Sequence, residues 1–246
     1  MRLQSLLVPC EDYSIACLRY VPATTTARFT TILVHGYTAG KYSMDGLASY
    51  LCLRGLECLT MDLAGHKLGA SGGRMATPQV AAANILSVIR AFCENLPQSE
   101  YVLCGHSLGA AACLSAISYL RETDVAPTAV IAMAMGEHPA KGFQSVIGRK
   151  MLEQRGDHVS GATAEEFVGQ LEEFVELLTP ITCPALFVAA GQDVLLPVTR
   201  VQALANRLRP GSDYLEVNSS HMDLPDAAKA SVYAWLQKLA DEVRNG

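Results

Sequence analysis

A serine enclosed by glycines is the first pattern in this chain that could do chemistry. Gly105-His106-Ser107-Leu108-Gly109 fits G-x-S-x-G, follows the apolar run 101–104 and precedes the helix-forming residues 110–120. Between a strand and a helix this pattern is a nucleophile elbow, because the tight turn leaves almost no room for side chains beside the serine. It predicts that Ser107 presents its hydroxyl at the positive, N-terminal end of a helix.

A serine hydroxyl needs a base to become a useful nucleophile, and the base needs an acid to orient it. Asp193 follows the apolar run 184–190, and His221 follows the run 213–217. Each of these residues comes just past the carboxyl end of a strand, which is where open α/β sheets form their sites. Ser107, Asp193 and His221 are therefore predicted to form a catalytic triad.

Two backbone amides are predicted to complete the site. His35-Gly36-Tyr37 closes the apolar run 31–34, and Leu108 directly follows the serine. Backbone N–H groups at these two positions can stabilise the negative oxygen that forms when a nucleophile attacks a carbonyl. Tyr37 and Leu108 are thus the candidate oxyanion-hole residues, through their amides and not their side chains.

Other acidic residues compete with Asp193. Glu137 follows the apolar run 128–135, from which a carboxylate could also reach the histidine. Asp223 lies two residues beyond His221 and is interpreted as a loop cap, while Asp62 ends a strand and is interpreted as structural.

The other histidines divide into two groups. His66, His138 and His158 have no paired ligand spacing and are expected at solvated loop or insert positions. His35 and His106 are expected to pack around the elbow.

No metal and no organic cofactor is predicted, because the chemistry needs neither.

Apolar runs rich in valine, isoleucine and leucine predict the strands that position these residues. They cover residues 3–8, 13–20, 29–35, 56–62, 101–105, 128–135, 184–190 and 213–217. Helices alternate with them, one capped by Ser43, one beginning at Thr77-Pro78, one running from the elbow to Arg121, one beginning at Pro197 and one near Pro225. An opening hairpin followed by this alternation indicates an α/β fold with a mostly parallel, doubly wound sheet.

One interval interrupts the alternation. About 45 residues without a strand separate Met135 from Pro184, and residues 164–178 carry apolar side chains at Phe167, Leu171, Phe174 and Leu178. This spacing predicts an amphipathic helix. Residues 137–182 are interpreted as a helical lid or cap insertion within a single domain of residues 1–246, with simple coverage of the core as the alternative.

Composition excludes several functional classes. The 246 residues are 50% hydrophobic and 17% charged, with a formal net charge of −5. A chain this apolar is not disordered as a whole. Nucleic-acid binding requires basic stripes, which this chain lacks. No apolar stretch approaches the ~20 residues that a spanning helix needs, so stable membrane insertion is not expected.

The cysteines indicate the compartment. None of the eight forms a C-x-x-C pair, so zinc and thioredoxin-type sites are not predicted. Several fall in predicted core elements and are interpreted as small buried apolar residues of a protein in a reducing compartment, the cytoplasm.

The motifs together resemble those of the α/β-hydrolase superfamily over nearly the whole chain. The stretches that carry the resemblance are His35-Gly36-Tyr37, Asp62-Leu63-Ala64-Gly65-His66, Gly105-His106-Ser107-Leu108-Gly109, Gly191-Gln192-Asp193 and Ser220-His221. The chain order Ser, Asp, His agrees as well. The chain looks most like small serine esterases and monoacylglycerol-lipase-like members, which implies an eight-stranded sheet and an acyl-enzyme mechanism. It departs after Asp62, where Gly65-His66-Lys67-Leu68-Gly69-Ala70-Ser71 has two more residues than the usual G-H-G-x-S.

The resulting hypothesis is a serine hydrolase of carboxylic esters, carboxylesterase- or lipase-like, with an apolar acyl group and a small-molecule ester or thioester substrate. Thioesterase, amidase, carbon–carbon hydrolase and acyltransferase activities use the same groups and remain alternatives. A ligand-binding protein that keeps the fold without turnover is the alternative from another class. Fold alone does not choose between them.

Overall fold

The computed structural model describes residues 1–26, 29–95, 100–120 and 125–245. Its centre is one eight-stranded sheet in the order β1-β2-β4-β3-β5-β6-β7-β8. The strands are β1 (Arg2–Cys10), β2 (Tyr13–Val21), β3 (Phe29–Val34), β4 (Glu57–Met61), β5 (Glu100–His106), β6 (Ala129–Met133), β7 (Ala185–Ala190) and β8 (Asp213–Val217). β1 and β2 pair antiparallel with their neighbours, and every pair from β4 to β8 is parallel. The predicted α/β-hydrolase sheet is confirmed.

Continuous apolar runs become strands that are covered on both faces. All residues of β3, β6 and β7 are buried. Successive side chains point to opposite faces, so Ile32 joins one apolar cluster and Leu33 the other. Helices cover both faces, as predicted: α2 (Pro78–Asn95), α3 (Leu108–Leu120) and α7 (Val198–Leu208) on one, α1 (Asp45–Cys52), α8 (Leu224–Ala227) and α9 (Lys229–Asn245) on the other.

One detail of the predicted helices differs, and a second cannot be compared. Ser43 is not a helix cap: a 3-10 turn, Lys41–Met44, precedes α1, and the Ser43 hydroxyl donates to the carbonyl of Gly40 at 2.9 Å. The helix after the elbow covers Leu108–Leu120 among the described residues, and its predicted end at Arg121 lies outside them.

Between β6 and β7 the chain forms three helices instead of the single one predicted. These are α4 (Pro139–Phe143), α5 (Val146–Arg155) and α6 (Ala164–Glu176), with a 3-10 turn, Gly156–His158, after α5. α6 is the predicted amphipathic helix, and Phe167, Leu171 and Phe174 are buried on its inner side. Thr163 and Glu166 form a capping box at its start, which satisfies amides that the first turn leaves free.

The middle of this insert is joined to the loop that follows β4. An isolated bridge pairs His66 with Val159, and the Ser160 carbonyl and amide bond to the Met75 amide and the Gly65 carbonyl at 2.7 and 2.8 Å. Gly65 has φ +71°, and a Cβ there would lie 2.5 Å from the Ser160 oxygen. The two additional residues after Asp62 therefore belong to a loop that holds the insert in place.

Candidate active site

The elbow between β5 and α3 places Ser107 in a conformation that few residues other than glycine adopt. Its φ is +52°, in the left-handed region. A Cβ on Gly105 would lie 2.3 Å from the carbonyl carbon of Gly109, and a Cβ on Gly109 would lie 2.3 Å from the Val34 oxygen. Only glycines allow this approach of strand and helix, as the motif predicted. Backbone strain of this kind is common where a side chain must be presented for function.

The acid and the histidine are brought together by β7 and β8. Oδ2 of Asp193 lies 2.6 Å from Nδ1 of His221. The Asp193 side chain is 1% exposed and that of His221 12%. The other carboxylate oxygen of Asp193 accepts the backbone N–H groups of Leu195 and Leu196 at 2.8 and 2.9 Å. Asp193 is therefore held by its own loop, a contact that sequence reasoning missed although aspartate often bonds amides two residues ahead.

Ser107 and His221 line the same two small cavities, of about 20 Å³ each. Within the described part of the chain, no hydrogen bond joins them directly. Catalytic hydrogen bonds are often long before substrate binds. One cavity adds Tyr37 and His106 to its walls, and the other adds Leu171 and Leu196.

The two residues predicted to supply oxyanion amides both lie near Ser107. Leu108 is the first residue of α3, where N–H groups have no partner inside the helix. Tyr37 lines a cavity that also contains Ser107. Among the described residues, neither amide has a hydrogen-bond partner in the protein, which leaves both able to donate to a ligand. The Tyr37 ring stacks on Phe167 of α6, with ring centroids 4.4 Å apart.

The chain resembles known proteins in both sequence and fold. The family model described as serine aminopeptidase, S33, matches residues 25–154, just over half of the chain. The chain belongs to this α/β-hydrolase family. The matched segment includes Tyr37, Ser107 and Leu108 and ends before Asp193 and His221. Among curated protein sequences, no match is found.

Several solved structures share the fold of this chain. An esterase from Pyrococcus furiosus is 15% identical with a TM-score of 0.74, covering 98% of this chain and 91% of its own. Mouse alpha/beta hydrolase domain-containing protein 10 is 18% identical with a TM-score of 0.71, covering 98% and 99%. The thioesterase domain from the curacin biosynthetic pathway is 14% identical with a TM-score of 0.67, covering 96% and 100%.

The competing acids have other partners. Glu137 pairs with the guanidinium of Arg207 at 3.0 Å. Asp223 accepts a hydrogen bond from the Ser220 hydroxyl at 2.6 Å, within its own loop. Asp62 is fully buried and bonds the side-chain ammonium and the backbone amide of Lys41. Burial raises the pKa of Asp62, but the hydrogen bonds from Lys41 and Ala70 outweigh it, so this pKa lies below its usual value.

Two of the remaining histidines pack at the elbow, as predicted. His35 accepts the Leu63 amide on Nε2 at 2.9 Å, and burial lowers its pKa to about 4. His106 lies 2.9 Å from the His221 carbonyl oxygen, and burial lowers its pKa to about 3. Both rings are neutral at pH 7.

The prediction of a solvated position is wrong for His66. It is 1% exposed, its ring packs edge-on against His35 with centroids 4.9 Å apart, and burial lowers its pKa to about 3. The reason is tertiary, because the insert covers the loop that carries His66. His138 is exposed, as predicted, and His158 is half-buried.

One group of described side chains could hold a cation. Ligand atoms of His138, Glu172 and Glu176 lie within 4.8 Å of one another at the insert surface. Glu172 already bonds His138 at 2.8 Å and the Ala140 amide at 2.9 Å. Arg207 lines the same cavity as His138 and Glu176, and its positive charge disfavours a metal ion.

Among the helices of the described residues, none is both long and apolar enough to cross a membrane.

Proposed function

We propose that this protein is a serine hydrolase that cleaves carboxylic esters through an acyl-enzyme intermediate. The observation that carries the proposal is the 2.6 Å contact between Asp193 and His221, with Ser107 on the walls of the same cavities as His221. A histidine oriented by a buried carboxylate, on the walls of the same cavities as an elbow serine, is the apparatus of nucleophilic acyl transfer.

Each residue has one role in this mechanism. The Ser107 oxygen forms a bond to the ester carbonyl carbon while His221 takes its proton through Nε2. The carbonyl electron pair moves to oxygen, and the amides of Tyr37 and Leu108 stabilise that charge, each by roughly 3–4 kcal/mol. The carbon–oxygen bond to the alcohol then breaks, and His221 returns the proton to the leaving oxygen. Water, activated by His221, cleaves the acyl-enzyme and regenerates Ser107.

Asp193 acts through His221. Its carboxylate accepts a hydrogen bond from the N–H group at Nδ1, which leaves Nε2 free to act as the base. The negative charge also stabilises the imidazolium that forms during each step. The two backbone amides of Leu195 and Leu196 hold the carboxylate in this orientation.

The walls of the site favour a neutral ester over a substrate with a free amino group. An aminopeptidase, the activity in the family's description, needs a carboxylate to bind the amino terminus of its substrate. None of the described residues that line the two cavities at Ser107 is aspartate or glutamate. Similarity to an esterase fold supports the ester assignment. Similarity to a thioesterase domain keeps acyl thioesters as the second candidate.

The insert, residues 137–182, is proposed as a cap over the site within a single domain of residues 1–246. Phe143 and Leu171 of the insert line a cavity at Ser107. The contacts of residues 159–161 with the loop after β4 anchor this cap, so access is expected to depend on side-chain movements more than on opening of the whole segment.

A reducing compartment, the cytoplasm, is proposed as the location. Free thiols are found at Cys10, Cys17, Cys52, Cys58, Cys104, Cys113 and Cys183, and all of these except Cys183 are buried. Burial raises the pKa of Cys17 and Cys104 to about 12, which keeps both protonated and unreactive.

The test is hydrolysis of p-nitrophenyl esters beside acyl thioesters, aminoacyl anilides and a fluorophosphonate label. We expect the label to attach to Ser107 and the esters to give the highest kcat/KM. Ser107→Ala should abolish both. Higher kcat/KM for thioesters or anilides would replace the ester assignment, and a chain that neither turns over nor takes the label would be a ligand-binding protein.

A further inference from the structure

The backbone amide of Tyr37 is carried by a tight turn beside the nucleophile. The Ala39 amide donates to the Gly36 carbonyl at 3.3 Å, which closes a turn over residues 36–39, the oxyanion turn. A Cβ added to Gly36 would lie 3.2 Å from Cβ of Ser107, so the turn begins against the elbow. The direction of the Tyr37 N–H group is therefore set by the conformation of this turn.

The oxyanion turn is strained and needs support from its surroundings. Thr38 has φ +62°, in the left-handed region, which a β-branched residue rarely adopts. Such a conformation persists only where neighbouring groups hold it in place. Beyond the turn, Asp62 accepts the Lys41 amide at 2.6 Å and fixes the backbone at that end. The other end, at Tyr37, has to be fixed by other contacts.

The side chain of Tyr37 is held by its ring and not by its hydroxyl. The residue is 8% exposed, and its hydroxyl oxygen has no hydrogen-bond partner among the described residues. The ring stacks on Phe167 of α6, with an angle of 8° between the ring planes and the centroids 4.4 Å apart. The ring of His66 meets it edge-on, with centroids 6.0 Å apart. Phe167 is thus the closer of the two aromatic partners.

Phe167 is itself firmly placed. It is 1% exposed and belongs to the same apolar cluster as Tyr37. The insert that carries it is bonded through residues 159–161 to the loop that carries His66. The two rings that contact Tyr37 therefore come from segments that are joined to each other. Neither cavity at Ser107 is lined by Phe167, so a bound substrate is not expected to touch it.

We propose that Phe167 is a positioning residue for the oxyanion hole. Its ring holds the ring of Tyr37, and this contact fixes the turn whose N–H group stabilises the negative oxygen. The inference rests on the proposed function and deepens it, because it gives the insert a part in the rate of acyl transfer. Since the oxyanion forms in both acylation and deacylation, loss of this support should lower kcat and leave KM nearly constant.

The experiment removes the ring of Phe167 and keeps an apolar side chain. kcat and KM for p-nitrophenyl acetate are measured in Phe167→Leu, in Phe167→Tyr and in the unchanged protein. We expect kcat of Phe167→Leu to fall at least about tenfold, which is part of the roughly 10²–10³-fold effect of removing one oxyanion donor. KM should change less than about twofold, because Phe167 does not line the cavities. Phe167→Tyr keeps a ring that can stack on Tyr37 and should retain kcat within about threefold.

Phe174→Leu is the matched control. It makes the same change two turns further along α6, at a residue that is 4% exposed and has no ring contact with Tyr37 among the described residues. Both leucine variants should lower the urea midpoint, but only Phe167→Leu should lower kcat. Equal kcat in the two folded variants would overturn the inference.

Tyr37→Leu tests the same contact from the other side, because it removes the ring and keeps the backbone amide. It should lower kcat at least as much as Phe167→Leu does, and the double variant should fall no further than Tyr37→Leu alone. Independent losses in the double variant would contradict a shared contact. An unchanged kcat in folded Tyr37→Leu would overturn the inference even where Phe167→Leu does not fold.

Binding of a transition-state analogue separates this inference from the proposed function. When trifluoroacetophenone binds, the Ser107 oxygen bonds to its carbonyl carbon, the Ser107 proton moves to His221, and the carbonyl electron pair moves to the oxygen in the oxyanion hole. Its Kd, measured by fluorine NMR, should rise at least about tenfold in Phe167→Leu and stay within about twofold in Phe174→Leu.

The adduct can form without turnover of any ester. A Kd that depends on Phe167 in a protein without esterase activity would contradict only the proposed function. The same Kd in Phe167→Leu and Phe174→Leu would contradict only the inference, and no adduct in the unchanged protein would contradict both.

Discussion

Nε2 of His106 lies 2.9 Å from the backbone carbonyl oxygen of His221. A carbonyl only accepts, so Nε2 carries the single proton of this neutral ring. His106, the residue before Ser107, therefore donates a hydrogen bond that holds the backbone of His221, the proposed base. Their ring centroids are 5.0 Å apart.

His106→Ala should reduce kcat by about 10- to 100-fold, because a displacement of about 1 Å in a catalytic group has effects of that size. His106→Gln retains an N–H donor and should recover most of the loss. The measurement is kcat and KM separately, with the rate of fluorophosphonate labelling. A purely structural role would lower the amount of folded protein in both variants and leave kcat per labelled site unchanged.

Asp193→Asn should reduce kcat by about 10⁴-fold with little change in folding, because the amide no longer favours the required protonation of His221. Glu137→Gln is the matched control, since Glu137 pairs with Arg207 outside the site, and its kcat should stay within about twofold. The opposite ranking of the two variants would assign the acid to Glu137.

Gly105→Ala should destabilise the fold by at least about 2 kcal/mol, because its Cβ would overlap the backbone of Gly109 at 2.3 Å. Gly169→Ala makes the same chemical change where no atom lies within 4 Å, and should stabilise by roughly 1 kcal/mol. Urea denaturation measures both. Equal effects of the two substitutions would contradict the geometry of the elbow.

Stability should fall as the pH is lowered from 7 to 5. Burial lowers the pKa of His35 to about 4 and those of His66 and His106 to about 3. Below about pH 6.5 the unfolded chain binds protons that these folded histidines do not, so each can reduce the free energy of unfolding by about 1.4 kcal/mol per pH unit.

Unfolding midpoints in urea between pH 7 and 5 test this dependence, and His66→Gln should make the slope shallower. The low pKa of Asp62 affects the free energy of unfolding only below about pH 4. Measurements between pH 7 and 5 therefore exclude its contribution. A flat profile would mean that these histidines are accessible to protons in the folded protein.

Asp62→Asn should destabilise the protein by about 3–5 kcal/mol, because it leaves the ammonium of Lys41 buried without a countercharge. Adding Lys41→Met removes that charge and should restore part of the stability. Urea denaturation of the two single variants and the double variant gives the coupling energy between the residues. Additive effects would mean that the ion pair contributes nothing beyond its separate members.

The sequence determined the sheet and the order of the candidate site residues. Runs such as 184–190 are apolar at every position, and only a strand covered on both faces buries all of them. Gly105 and Gly109 were informative for a steric reason, because no other residue fits between β5 and α3. Asp193 and His221 were recognisable because each follows the carboxyl end of a parallel strand.

The packing of the insert against other parts of the chain could not be predicted from local sequence patterns. The sequence predicted a solvated position for His66, but Val159 and Ser160 of the insert contact the loop that carries it. No local pattern encodes a contact between segments about 90 residues apart. Phe143 could not be singled out from the sequence, since one phenylalanine in a five-residue helix has no periodicity. The structure shows that it lines three cavities, two of which Ser107 also lines.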